Sequence, residues 1–316
     1  MPLNIYVNSW ERNRFKQAVV HLLLKLYNSP QPRIMGNKIL LRAATGTDTG
    51  KLREVNQDSV FASIRSPEKG EALGLFIVAD GMGGHKAGEI ASQLAVNTIH
   101  ENLAFMIEQD DSSATALFNP GGEAEELPSQ ASILARRLEM AVEEANKAIY
   151  DYALKNPSTA GNLGCTVTCA IIFGNTLVVA NVGDSRTYRL SGDDLSQITN
   201  DHSYVWELVQ EGHLLTEEIY DHPHRNVITR ALGSQADVPV DLLASEIEAG
   251  DRLLLCSDGV WEMIRDPNEI RDLLQLDELE TAADKLIDKA NFYGGTDNIG
   301  VVVVEYSKFP TNANEP

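Results

Sequence analysis

Cysteine is scarce in this chain: Cys165, Cys169 and Cys256 are the only three in 316 residues. No two form a C-x-x-C pair, and all lie in apolar, strand-like runs. That excludes a disulfide framework and favours buried thiols in a reducing cytosol over a zinc or redox site, so a cytoplasmic location is expected. No apolar run reaches about 18 residues, so no membrane span is expected. Positive charge is also short, with 26 Lys and Arg against 46 Asp and Glu and a formal charge of −20. Without a net positive field, a nucleic-acid partner is not expected. There is no internal repeat, no Cys-x5-Arg and no convincing Ser-His-Asp set.

The few basic residues are unevenly placed. Residues 1–38 carry Arg12, Arg14, Lys16, Lys25, Arg33 and Lys38 against Glu11 alone, a net +5, which leaves −25 on the rest. Within this arm Phe15, Val19, Leu22 and Leu26 recur at helical spacing behind a cap at Asn8 or Ser9. Ser29-Pro-Gln-Pro ends that helix. His21 and Lys25 interrupt the apolar run and no small-residue cleavage site follows, which argues against a signal peptide. Three roles stay open for the arm, in this order: packing on the acidic body, docking a partner, or lying on a membrane surface.

The body, residues 39–308, is organised around Gly74–Glu89, G-L-F-I-V-A-D-G-M-G-G-H-K-A-G-E. An apolar strand, Leu75–Ala79, stops at Asp80, glycines follow, and a helix begins near Ala87. A carboxylate at the end of a buried strand followed by glycines lets backbone approach an ion or phosphate. Ile39–Ala43 is expected as a first strand. Ala91 to Met106 and Leu134 to Tyr152 show helical stripes, with a polar surface loop at 109–130 between them. A meander follows: Cys165–Phe173, Thr176–Val182, Ser185–Leu190 and Ser196–Thr199, with hairpin turns at Gly174-Asn175 and Gly192-Asp193. Short strands on short turns predict antiparallel sheets. Arg252–Cys256 and Ile299–Glu305 are further strands, with late helices between them. Residues 203–233 are too long and irregular for an ordinary connection, and 309–316 read as a disordered tail.

Asp58, Asp80, Asp258 and Asp297 each adjoin a strand-like run, and Asp184 sits at a turn between two strands. Gathering such carboxylates in one place is prohibitive unless cations are bound. With only oxygen donors, the fitting ions are hard ones, magnesium or manganese. His202, His222 and His224 do not stand at zinc spacing. Asp201 and Ser203 read as caps for the helix that follows.

The ordered motifs R-E-V-N-Q-D (53–58), V-A-D-G-M-G-G-H-x-A-G-E (78–89), G-C-T (164–166), N-V-G-D-S-R (181–186), D-H-S (201–203), H-P-x-R-N-V-I-T-R-A-L-G (222–233), C-S-D-G-V-W (256–261) and G-G-T-D-N-I (294–299) resemble those of the metal-dependent serine/threonine protein phosphatases, type 2C, in their bacterial form. The resemblance covers about residues 39–306. It implies an α+β fold, a four-layer α-β-β-α sandwich of two antiparallel sheets with helices outside. It also implies two Mn2+ or Mg2+ ions in a cleft at one edge. Position by position, Asp80 would bridge both metals and Gly81 would offer its carbonyl. Asp258 and Asp297 would hold one metal, and Asp58 would act through coordinated water. Asp184, with Asp258, would bind a third, weaker ion, and Arg53 would grip the substrate phosphate. Residues 203–233 would form a flap beside the cleft.

These residues suit hydrolysis of a phosphomonoester. Two metals about 3.5–4 Å apart turn a bridging water into hydroxide and clamp the phosphoryl oxygens. Arginine pairs bidentately with the remaining oxygens. In-line attack on phosphorus then needs no covalent phosphoenzyme. Gln57 stands where many relatives have Glu, and Met82 where eukaryotic relatives often have the general-acid His. His85, a metal-bound water and bulk solvent stay open as the proton donor. The expected substrates are phosphorylated proteins, products of serine/threonine kinases, which implies a role in signalling; a monomer is expected. The competing readings are a pseudophosphatase binding module and a phosphatase of small phosphorylated molecules.

Overall fold

The computed structural model of the chain describes residues 39–65, 71–83, 87–108, 129–160 and 163–308. The basic arm, the tail after Lys308, most of the polar loop at 109–130 and His85 lie outside the described residues.

The elements follow as β1 (Ile39–Asp48), β2 (Asp58–Arg65), β3 (Leu73–Met82), α1 (Ala87–Glu108), α2 (Gln130–Lys155), α3 (Pro157–Ala160), β4 (Gly164–Cys165), β5 (Val167–Phe173), β6 (Thr176–Val182), β7 (Arg186–Ser191) and β8 (Asp194–Gln197). Next come α4 (Tyr204–Gln210), a 3₁₀ turn (Thr216–Asp221), β9 (Asp241–Glu246), β10 (Arg252–Cys256), α5 (Asp258–Trp261), α6 (Pro267–Leu274), α7 (Leu279–Phe292) and β11 (Ile299–Lys308). One sheet runs β1-β11-β10-β7-β8. The other runs β2-β3-β5-β6-β9, with β4 paired to β3. Every strand pair is antiparallel.

The strands β3, β5, β6, β10 and β11 read as largely apolar runs because both faces are covered. Along β3, Leu73, Leu75, Ile77 and Ala79 face α1 and α2. Phe76 and Val78 face the other sheet. Along β11, Val301 and Val303 join the helical layer of α5–α7, while Val302 and Val304 enter the space between the sheets. The two-residue alternation of a strand thus builds three apolar layers between four layers of structure. Each fully buried Leu, Ile or Phe contributes about 1.5–3 kcal/mol by leaving water, so the sandwich is a rigid frame for whatever lies at its edges.

Local signals set the element ends. Ser129 caps α2, its Oγ accepting from the Ser132 N–H at 3.2 Å. Asp266 caps α6 with Pro267 in the first turn. Gly174 and Gly192 turn their hairpins at φ of 58° and 59°, where a side chain would be strained. β9 is a strand that the pattern of apolar residues did not reveal. It is a sheet edge with only Ala244 buried, so its alternation is weak. Residues 203–233 are more ordered than their composition suggests. Val205 and Ile219 are anchored in the helical layer over the first sheet, and Leu232 exchanges backbone hydrogen bonds with Cys165 at 2.8 and 3.1 Å. Among the described residues no helix is long and apolar enough to cross a membrane.

Candidate active site

Antiparallel pairing brings the carboxylates to one edge. β3 ends where β2 begins, and Asp58 is the register partner of Asp80. β10 ends at Cys256, two residues before Asp258, and β11 starts at Ile299, two residues after Asp297. Asp184 follows the end of β6. The two sheets touch here through side chains: Ser257, at the end of β10, donates to Asp58 Oδ2 on β2 at 2.6 Å. A Cβ on Gly300 would stand 3.1 Å from the same oxygen.

Arg53 reaches the cluster from the loop between β1 and β2. Its Nη2 bonds Asp297 Oδ2 at 2.6 Å, and half of its side chain is exposed. That loop is pinned by Asn298. Asn298 Nδ2 donates to the Thr49 and Val55 carbonyls at 2.9 and 3.0 Å, and Oδ1 accepts from the Gln57 N–H at 2.9 Å. The backbone at Gly81 runs so close to its neighbours that a Cβ would lie 2.0 Å from the Gly88 carbonyl oxygen and 2.7 Å from that of Gln57. Only glycine fits there.

The electrostatics are those of crowded, poorly solvated carboxylates. Burial, followed by repulsion from Asp58, Asp184 and Asp297, drives the Asp80 carboxyl well above the usual carboxylate range. Asp258 rises for the same reasons, burial first and then Asp80 and Asp184. Asp58 is pushed up to about 7, mainly by burial, with the Ser257 hydrogen bond opposing. Asp184 also reaches about 7, through burial and then Asp201, with Arg186 opposing. Such groups either bind protons or bind cations.

Among the described residues no three His, Cys, Asp or Glu side chains are already drawn into a closed ligand cage, so the fit to metal rests on individual atoms. Asp58 Oδ1, Asp184 Oδ1 and Asp258 Oδ1 are buried with no hydrogen-bond partner. Orphaned buried carboxylate oxygens are costly unless something positive meets them. Three at one edge of the fold, all hard donors, suit divalent cations of the magnesium and manganese kind.

Residues 45–285 match the family model described as Protein phosphatase 2C. The chain belongs to the protein phosphatase 2C family. It is 38% identical over 267 residues to the serine/threonine phosphatase stp of Listeria innocua, spanning 84% of this chain and 96% of that protein. The crystal structure of the Mycobacterium tuberculosis serine/threonine phosphatase PstP/Ppp is 37% identical, with a TM-score of 0.69 over 84% of this chain and 99% of that one. The catalytic domain of PstP in complex with two manganese ions is 36% identical, with a TM-score of 0.68 over 85% and 100% of the two chains.

In this protein phosphatase 2C chain, sequence reading missed Ser257, Asn298 and Trp261 as site residues. Trp261 Nε1 donates to the Asp184 carbonyl at 3.1 Å, and its ring lies 3.6 Å from the guanidinium carbon of Arg186. All three lie in motifs already noted, and a polar or aromatic side chain predicted to be buried beside an aspartate was the available signal. Asp201 is a correction. It does not cap α4 but holds buried Arg186, accepting at 2.6 Å from Nη2. Ser203 alone is the cap, accepting from the Trp206 N–H at 3.3 Å. His202 is buried, with Nδ1 accepting from the Gly183 N–H at 2.9 Å and Nε2 3.1 Å from Asp241 Oδ2. His222 and His224 gather around Tyr204, with ring centroids 6.0 and 5.9 Å away.

Proposed function

We propose that this chain hydrolyses phosphoserine and phosphothreonine in proteins with two Mn2+ or Mg2+ ions, and a weaker third, held by Asp58, Asp80, Asp184, Asp258, Asp297 and the Gly81 carbonyl. The observation that carries this reading is the set of orphaned oxygens on Asp58, Asp184 and Asp258 at the edge where Arg53 also arrives. Its relatives include serine/threonine phosphatases and a manganese-bound catalytic domain.

When bound, the ions neutralise the phosphate dianion and activate water for in-line attack on phosphorus, without a phosphoenzyme. The protein's own residues supply the rest. Arg53, now paired with Asp297, would be released to the phosphate oxygens where Asp297 holds a cation, and its fork of N–H groups would fix the phosphoryl plane. Ser257 and Asn298 hold Asp58 and the Arg53 loop in place before substrate arrives, so little reorganisation is left for the reaction itself. Met82 carries no exchangeable proton, so the proton for the departing serine or threonine oxygen would come from His85, from water held at the site or from bulk solvent.

The catalytic unit is assigned to residues 39–308, with 203–233 as a flap, in a cytoplasmic monomer acting on products of serine/threonine kinases. Every motif lies after residue 52, so removing residues 1–35 is expected to leave small-ester hydrolysis unchanged. The deciding experiment measures phosphate release from matched phosphothreonine and phosphotyrosine peptides with manganese and with chelator. Manganese-dependent release from the phosphothreonine peptide alone is expected. Chelator-resistant release, or none, would overturn the reading.

A further inference from the structure

Beside the metal edge lies an apolar cavity of about 430 Å³. Its floor is Met82 with Gly164, which are register partners on β3 and β4. The neighbouring rung of that ladder is Gly81 with Cys165, so the cavity starts one residue beyond the backbone carbonyl assigned to a metal. One wall is the last turns of α2, through Ala153 and Leu154, and the other is the base of the flap, at Ala231 and Gly233. Among the described residues no charged side chain lines it, although 23% of the chain is charged. Leu154 stands on its lip with 62% of its surface exposed. The floor is bare by construction, because a Cβ on Gly164 would approach the Leu232 carbonyl oxygen to 3.0 Å.

We propose that this cavity is a substrate subsite that takes one bulky apolar side chain flanking the phosphoresidue, a Leu, Ile, Met or Phe within three positions of it. The proposal rests on the phosphoprotein reading above. The occupant follows from place and chemistry. Two residues of strand separate Met82 from Asp80, about 6.6 Å, and an extended peptide advances about 3.3–3.6 Å per residue. A phosphoresidue seated at the aspartates therefore brings a near neighbour over the cavity. An uncharged, mostly apolar concavity beside polar groups that fix orientation is the usual form of a specificity pocket. A small aryl phosphate has no group that reaches it.

The test is a set of phosphothreonine peptides of neutral background in which one leucine replaces alanine at each position from −3 to +3. The wild type is expected to show a five- to tenfold higher kcat/KM for leucine at one of these positions. Ala153→Phe, which fills the cavity from α2, is expected to cut that preference to within twofold while p-nitrophenyl phosphate turnover and Tm stay at wild-type values. Leu154→Ser, at the exposed lip, is a second variant that removes apolar surface without threatening the fold, and should at least halve the preference. Peptide hydrolysis with no leucine preference at any position overturns the subsite alone, as does a preference that survives both variants. Failure to hydrolyse any phosphothreonine peptide overturns the proposed function and the subsite with it.

Discussion

Ser257 holds Asp58 from the opposite sheet: its hydroxyl donates to Asp58 Oδ2 at 2.6 Å and accepts from the Gly300 N–H at 2.9 Å. With Oδ2 committed, Oδ1 is the oxygen left without a partner. Ser257 is thus a positioning residue that decides which face of the carboxylate is free. Ser257→Ala frees the carboxylate to rotate and leaves a buried N–H unmet, which costs about 1–3 kcal/mol. Loss of such a supporting partner commonly weakens metal binding by about 10–100-fold. The expected result is weaker manganese binding by calorimetry with the fold retained. Wild-type affinity would show that the contact is only structural.

Asp80 is held in conflict between burial and charge, facing Asp58 across the ladder. Asp80→Asn keeps the shape and removes the charge. Turnover of p-nitrophenyl phosphate at saturating manganese should fall roughly 1,000-fold, about 4 kcal/mol in barrier. The chelator-treated variant should melt at or above the wild-type temperature, because repulsion with Asp58 is gone. Activity within tenfold of wild type would sink the bridging role.

The same crowding makes the metal-free protein sensitive to pH in a defined direction. Asp58 and Asp184 each have a folded-state pKa raised to about 7, against about 3.9 in an unfolded chain. A raised carboxyl pKa means the fold binds the proton more tightly. The stability it contributes is fully present below about pH 4 and is lost as pH rises through about 7. In chelator, Tm should therefore be lower at pH 8 than at pH 5.5, after allowance for other groups by comparison with Asp58→Asn. Saturating manganese should flatten or reverse the trend, since cations take the place of protons. Equal pH dependence with and without metal would argue against a cation site.

How much of this was legible beforehand differs by residue. Asp58, Asp80, Asp258 and Asp297 could be read because each abuts an apolar run, so strand ends and site coincide in local sequence. Which oxygens are left free could not. It depends on contacts such as Ser257 with Asp58, 199 positions apart, and Asn298 with Gln57, 241 apart, which exist only once the sheets stack. Asp201 was misassigned for a related reason. A short carboxylate before a helix is a good cap, but buried Arg186 offers it a charged partner from β7 and takes it instead. The cysteines were legible from composition. All three are buried and free, and burial raises the Cys169 thiol to about 12, far from a reactive thiolate.

The segment 203–233 has two faces, and they should respond differently to substitution. Ile219 is 2% exposed and locked into the helical layer, whereas Leu215 is 65% exposed. Glu217 is exposed, while Glu218 is occupied, its Oε2 accepting from the Leu215 N–H at 2.8 Å. Ile219→Ala removes buried methyl groups and should cost about 2–5 kcal/mol, read as a lower Tm. Leu215→Ser and Glu217→Ala should leave Tm unchanged. If the exposed face meets the protein around the phosphoresidue, these two variants shift the relative kcat/KM among phosphopeptides. Kinetics on p-nitrophenyl phosphate should stay within about threefold, roughly 0.65 kcal/mol in barrier. The decisive quantity is the ratio of peptide to aryl-phosphate efficiency, variant against wild type, over several unrelated peptides. A constant ratio would make the segment a structural cover and leave substrate choice to the cleft and the cavity beside it.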